Sequence, residues 1–261
     1  MNKHRPIGFF DSGLGGISIL RETFARLPGE DYLYFGDSLN APYGVRSVEE
    51  VTTLTCDAVD KLVEQGCKAI VLACNTATAA AADLLRKRYP EIPIIGTEPA
   101  LEPAVQRHPG GRILVLATAM TLKEQKFLDL WEQYRHEAEI VPIPCSGLME
   151  FVEQGILRGE ELESFLMEKL MPYMKVSVDA VVLGCTHYPF LRGVIRRLVG
   201  RSPEILDSAE GVARHLHKRL LQTSLLNDRE NGGTVTFQNS LDGPEILELS
   251  KKLLQYEEDA E

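Results

Sequence analysis

The chain alternates two hydrophobic rhythms. Short uninterrupted apolar runs read as buried strands, and longer stretches whose apolar residues return every three or four positions read as helices. Residues 7–10 (IGFF) form the first run, which breaks at Asp11-Ser12-Gly13-Leu14-Gly15-Gly16 before Ile17, Ile19, Leu20, Phe24 and Leu27 resume at helical spacing. Residues 32–36 (YLYFG) predict a second strand, followed by a turn-rich stretch from Asp37 through Pro42-Tyr43-Gly44. Ser47 with Glu50 predicts a capping box for a helix carrying Val51, Leu54, Val59, Leu62 and Val63, stopped at Gly66. A third strand over 69–73, a helix over 75–88 and a short strand over 92–96 complete the first cycle.

The cycle then repeats. Strands are predicted over 112–116, 140–143, 180–184 and 204–206, and helices through Trp131 and Tyr134 and over 147–155, 160–174 and 188–199. Pro99 and Pro103 interrupt the pattern near residues 97–102, where the chain is expected to cross between domains. Strands alternating with helices imply βαβ units and parallel sheets with right-handed crossovers. The turns also correspond in order: DSGLGG with ATAMT, NAPYG with PCSG, ACNTAT with GCTHYP, and GTEPA with LDSAEG. The fold class expected is therefore α/β, with two similar lobes of mainly parallel sheet, related by a pseudo-two-fold axis and facing each other across a crevice. After Leu226 a loop, a β-rich run over 234–237 and a helix over 244–256 have no counterpart between the lobes, so this appendix is expected to return to the first. The domains expected are 1–97 plus 207–261, and 98–206. The acidic end, residues 257–261, is expected to fray.

Composition narrows the classes. At 261 residues, 44% hydrophobic and 25% charged, the chain is an ordinary globular protein with ample core. A formal charge of −10 opposes a broad phosphate-backbone surface, so no nucleic-acid partner is expected. The basic clusters at 86–88, at Arg192 with Arg196 and Arg197, and over 214–219 read as solvated helix faces. Five cysteines without CxxC spacing argue against a disulfide framework or a structural zinc site. No apolar run approaches the roughly 18 residues of a membrane span, and the N-terminal stretch is too short in apolar residues for a signal peptide. A cytoplasmic protein with no membrane partner is expected.

Two runs carry the chemistry: IVLACNTAT ending around Cys74 and VVLGCTHYP ending around Cys185. In parallel α/β sheets, ligands bind where strand carboxyl ends lead into helices, and both thiols lie at such ends. Two acid/base groups on opposite faces of one carbon are what a stereoinverting proton transfer needs. A thiolate suits the task when a helix N-terminus or a neighbouring charge favours it. Asp11 and His187 are the natural assistants. Ser12, Asn75, Thr76, Thr118, Thr121 and Thr186 supply hydroxyl and amide groups, with backbone N–H groups to hold a small carboxylate and no arginine. The turns hold no lysine except Lys123 just beyond one of them, so a pyridoxal Schiff base has no anchor. GLGGIS lacks the last glycine of a dinucleotide fingerprint, and Cys185 with His187 alone is too little for zinc. No cofactor and no metal are expected. Cys56, Cys67 and Cys145 read as structural.

FDSGLGG, GDSLNAPYG, ACNTAT and GCTHYP, in this order and spacing, closely resemble the bacterial glutamate racemases of the aspartate/glutamate racemase family. The resemblance implies cofactor-independent interconversion of L- and D-glutamate, supplying D-glutamate for peptidoglycan. It implies that Cys74 and Cys185 are the proton donor/acceptors, Asp11 assisting the first and His187 the second. Asp11-Ser12, Pro42-Tyr43-Gly44, Asn75-Thr76, Thr118, Thr121 and Thr186-His187 would hold the substrate, and Glu153 is a further candidate by position. It also implies a homodimer, and a first lobe built from the N-terminal segment plus the C-terminal tail. Some members carry an N-terminal extension linked to activation by a cell-wall precursor; with six residues ahead of the first strand, that regulation is not expected here. Aspartate racemisation, a single-cysteine hydrolase and a glutamate-binding protein are the competing readings.

Overall fold

A computed structural model describes residues 2–256; the acidic end at 257–261 lies outside the described residues. The chain divides into two compact units. One holds residues 2–97 and Ala209–Gln255, the other Glu98–Ser208 with Tyr256.

In the first unit β1 (Ile7–Asp11), α1 (Ile17–Arg26), β2 (Tyr32–Gly36), α2 (Val48–Glu64), β3 (Ala69–Leu72), α3 (Asn75–Arg88) and β4 (Ile94–Gly96) follow in turn. All the pairings are parallel, in the order β4-β3-β1-β2. Every residue of β1 is buried, as expected of a central strand covered on both faces. The predicted capping box forms: Glu50 N–H donates to Ser47 Oγ at 3.2 Å and Ser47 N–H to Glu50 Oε2 at 3.0 Å. Gly66 follows α2 with φ of 87°, the left-handed conformation a helix stop requires.

The second unit contains α4 (Leu101–Arg107), β5 (Arg112–Ala117), α5 (Gln125–Tyr134), β6 (Glu139–Pro144), α6 (Leu148–Glu153), α7 (Glu160–Leu170), β7 (Ala180–Leu183), α8 (Arg192–Val199) and β8 (Glu204–Leu206). Its parallel sheet runs β8-β7-β5-β6, the same order as in the first unit, which supports the duplication inferred from the turns.

Three elements differ from expectation. The proline-broken stretch begins a helix, α4, whose Leu101, Ala104 and Val105 join the core over β5 and β7. Proline is tolerated there because Pro103 lies in the first turn, where backbone N–H groups have no helical acceptor. The helix expected over 160–174 stops at Leu170, and the one expected over 188–199 is a 3₁₀ turn, Tyr188–Leu191, leading into α8.

The chain then returns to the first unit through α9 (Ala209–Gln222), β9 (Val235–Asn239) and α10 (Pro244–Leu254). β9 adds a fifth parallel strand beside β2, and α9 and α10 both pack on α1. Two close approaches, Gly29 to Arg229 and Gly233 to Glu30, bring the returning loop against the turn before β2. A buried ion pair lies there: Lys68 Nζ donates to Glu30 Oε2 at 2.5 Å, and Glu30 Oε1 accepts the Asn227 N–H at 2.8 Å.

Candidate active site

At the carboxyl end of the first sheet, β1 delivers Asp11 and β3 delivers Cys74. The two strands are neighbours, and the Ala73 N–H donates to the Phe10 carbonyl at 2.7 Å, so the two turns are held side by side. Asp11 is fully buried, and one carboxylate oxygen accepts the Gly13 N–H at 2.8 Å, which shapes its own turn. Gly16 begins α1 against this arrangement; a Cβ there would lie 2.7 Å from Ala73 Cβ and 2.9 Å from Asp11 Cβ.

Cys74 has extended backbone and caps α3, its carbonyl accepting the Thr78 N–H at 2.9 Å. Its sulfur lies 3.4 Å from Ser12 Oγ. Asn75 and Thr76, both buried, form the first turn of α3, whose backbone N–H groups and dipole favour negative charge at this end. Tyr43, within the short turn Tyr43–Val45 that packs on α3, donates its hydroxyl to Asp37 Oδ2 at 2.7 Å. Burial, the bond to Asp37 and the charges of Cys74 and Asp11 hold the phenol well above its usual pKa, so it remains a neutral donor. Pro42, just before it, follows a cis peptide bond.

The second unit repeats the plan with different partners. Cys185, Thr186 and His187 follow β7 after Gly184 and are all buried. Cys185 Sγ lies 3.6 Å from His187 Nδ1, and His187 Nε2 lies 2.6 Å from Glu153 Oε1 at the end of α6. Burial alone would depress the imidazole. The bonds and charges of Cys185 and Glu153 outweigh it and hold His187 well above its ordinary value. Sulfur, imidazole and carboxylate thus stand in a line in which a proton on the ring has an acceptor on each side. At the end of the adjacent β5, Thr118 and Thr121 bind each other through their hydroxyls at 2.9 Å, and the Thr121 N–H donates to Thr118 Oγ1 at 3.1 Å.

The other thiols are of a different kind. Burial pushes Cys67 up to about 12 and Cys145 up to about 12, so both stay protonated. All five cysteines are free thiols.

The sequence pattern of the Asp/Glu/Hydantoin racemase family matches residues 17–216. The chain belongs to that family. Being a racemase, it is an isomerase. It is similar to glutamate racemase of Clostridium perfringens, 48% identical over 253 residues that cover 97% of each chain. Crystal structures give the same fold. A glutamate racemase isoform of Bacillus anthracis has a TM-score of 0.87 at 31% identity, covering 98% of this chain and 96% of that one. Glutamate racemase of Francisella tularensis in complex with D-glutamate has a TM-score of 0.83 at 28% identity, covering 98% of this chain and 96% of that one.

In the racemase, then, the predicted residues gather into two sets, one per unit. Asp11, Ser12, Tyr43, Asn75 and Thr76 belong to the same unit as Cys74, with Ser12 in contact with its sulfur; Thr186, His187 and Glu153 accompany Cys185, with Thr118 and Thr121 just after the neighbouring strand β5. Asp37, the acceptor for Tyr43, reads in the sequence only as a turn residue. The signal was present in the polar run of GDSLNAPYG, but nothing in it pairs position 37 with position 43. Among the described residues no group of three His, Cys, Asp or Glu side chains is arranged to hold a metal ion, and no helix is long and apolar enough to cross a membrane.

Proposed function

We propose that this racemase interconverts L- and D-glutamate by two-base proton transfer, with Cys74 and Cys185 as the bases. The observation that supports this most is positional: four corresponding strands run in the same order in both sheets, and a buried cysteine lies two residues beyond the corresponding strand β3 or β7, ahead of a helical segment. The substrate follows from the relatives, which are glutamate racemases across nearly the whole length.

In this reading one cysteine, as thiolate, takes the α-proton from one face of the substrate carbon. The other, as thiol, delivers a proton to the opposite face. The configuration inverts, no electrons are transferred, and the thiol and thiolate have exchanged roles. His187, its pKa raised by Cys185 and Glu153 and its ring held by Glu153, assists Cys185; Asp11 and Ser12 assist Cys74. Asp11-Ser12, Pro42-Tyr43-Gly44, Asn75-Thr76, Thr118, Thr121 and Thr186-His187 hold the amino acid. Backbone N–H groups at the start of α3 hold carboxylate without arginine. The reaction calls on no metal or organic cofactor. The enzyme works as a cytoplasmic homodimer, and its D-glutamate supplies peptidoglycan synthesis.

The test is to incubate each glutamate enantiomer with the protein in D2O and follow optical rotation and deuterium at Cα. Inversion with deuterium incorporation is expected; no inversion and no exchange would end the proposal. Cys74→Ala and Cys185→Ala should each abolish inversion in both directions, and substantial surviving inversion in either refutes the two-base assignment.

A further inference from the structure

Among the described residues the strand β9 has no counterpart in the second unit's sheet, and the bonds made at its end continue beyond the sheet it completes. Gly36 at the end of β2 lies in register with Asn239, and the Ser240 N–H donates to the Gly36 carbonyl at 2.9 Å. Past that point the bonds go to the segment that follows β2. Asn239 Nδ2 donates to Ser38 Oγ at 3.0 Å, and the Leu39 N–H donates to Ser240 Oγ at 2.9 Å. The Asn239 side chain is itself fixed, since its Oδ1 accepts the Leu241 N–H at 2.9 Å. The approach is close: a Cβ at Gly36 would lie 2.9 Å from Asn239 Nδ2 and 2.5 Å from the Gly13 carbonyl.

From Ser38 and Leu39 the bonds run on to the site. Asn40 Nδ2 donates to both Asp37 carboxylate oxygens at 3.0 and 3.1 Å, and Asp37 accepts the Tyr43 hydroxyl at 2.7 Å. Arg46 Nε closes the far side by donating to the Asn40 carbonyl at 2.6 Å. Tyr43 packs toward α3, and its phenol lies within electrostatic reach of Cys74 and Asp11. The segment 37–46 is therefore held at one end by β2, at the other by α2, and in between by two side chains supplied from about 200 residues later in the chain.

We propose that Asn239 and Ser240 are positioning residues for the reaction: they strap the segment that presents Tyr43-Gly44 to the substrate. The proposal rests on the reading that Tyr43-Gly44 hold the amino acid. It assigns the appended strand a function beyond closing a sheet edge, because a merely edge-closing strand needs backbone bonds to β2 and not side-chain bonds to the residues after it. A loosened segment keeps the same contacts available but must be ordered again on binding, so the loss falls on substrate affinity more than on turnover.

The test uses the full chain with Ser240→Ala, Asn239→Ala and Ser240→Thr, which retains the hydroxyl acceptor. Each alanine variant removes one bond between β9 and the strapped segment, worth about 0.5–1.5 kcal/mol, so KM for both glutamate enantiomers should rise about two- to tenfold with kcat little changed. Amide exchange at Leu39 should accelerate in Ser240→Ala while exchange in α2 does not, and Ser240→Thr should restore both KM and exchange. Unchanged Leu39 exchange in Ser240→Ala overturns the strap. Faster exchange with unchanged KM, or a lower melting temperature with KM intact, overturns its part in the reaction. The exchange measurement needs no substrate, so it reads the strap even if the wild-type protein proves inactive on glutamate. If Asn239→Ala fails to fold, Ser240→Ala, which alters a half-buried hydroxyl, decides alone.

Discussion

Gly16→Ala sets two opposed effects against each other at the centre of the first site. Gly16 has φ of −61° and ψ of −11°, a conformation alanine adopts freely, and it opens α1. On backbone grounds alone the substitution should stabilise by about 0.4–1 kcal/mol, by restricting the unfolded chain. The space decides otherwise. A methyl group there would lie 2.7 Å from Ala73 Cβ and 2.9 Å from Asp11 Cβ. Both are Cβ atoms fixed to buried backbone, so neither can swing aside as the tip of a long side chain could. Overpacking of this kind costs about 1–3 kcal/mol, and subtracting the backbone gain leaves a net destabilisation of about 0–2.6 kcal/mol, which at its upper end is roughly 5–10 °C in melting temperature. Relief requires β1 and β3 to separate where they carry Asp11 and Cys74. Activity measured well below the melting temperature should therefore fall further than stability does, by about tenfold or more for a displacement near an ångström. Thermal melts by circular dichroism and initial racemisation rates for both enantiomers measure the two effects. A Gly16→Ala protein as stable as the wild type and fully active would refute the argument.

Three further outcomes test other parts of the structure. Lys68→Met should cost about 3–5 kcal/mol in chemical denaturation, because it strands the buried Glu30 carboxylate; adding Glu30→Gln should recover part of the loss, since the amide oxygen can still accept the Asn227 N–H. Glu153→Gln should lower the His187 pKa, followed through the ring resonances by NMR, because burial is then opposed by one partner fewer. A raised folded-state value stabilises below the ordinary 6.5 and loses its effect as pH climbs through it, so the stability gap between wild type and Glu153→Gln should narrow toward alkaline pH; a widening gap would contradict the assignment. Ser47→Ala should remove the capping box of α2 at a cost of about 1 kcal/mol, with racemisation rates unchanged.

Much of this protein was decided within short windows of sequence. The uninterrupted apolar runs at IGFF, AIVL and AVVL need no partner to be recognised as strands buried on both faces, and the capping box of α2 is complete within four residues. The order of turns revealed two similar halves, and the two cysteine motifs marked where the chemistry lies. Such features are local, because backbone propensity, side-chain periodicity and caps act over a few residues. Tertiary structure decided the rest. The prolines at 99 and 103 read as a break, yet α4 forms because its apolar face is buried on β5 and β7. Glu153 meets His187 from 34 residues away, and Asn239 meets Ser38 from 201 residues away. A hydrogen bond between side chains so distant leaves no period or spacing in the sequence. It exists only because parallel strands bring their carboxyl ends to one edge of a sheet, where each loop takes its partners from whichever strand the topology has placed beside it.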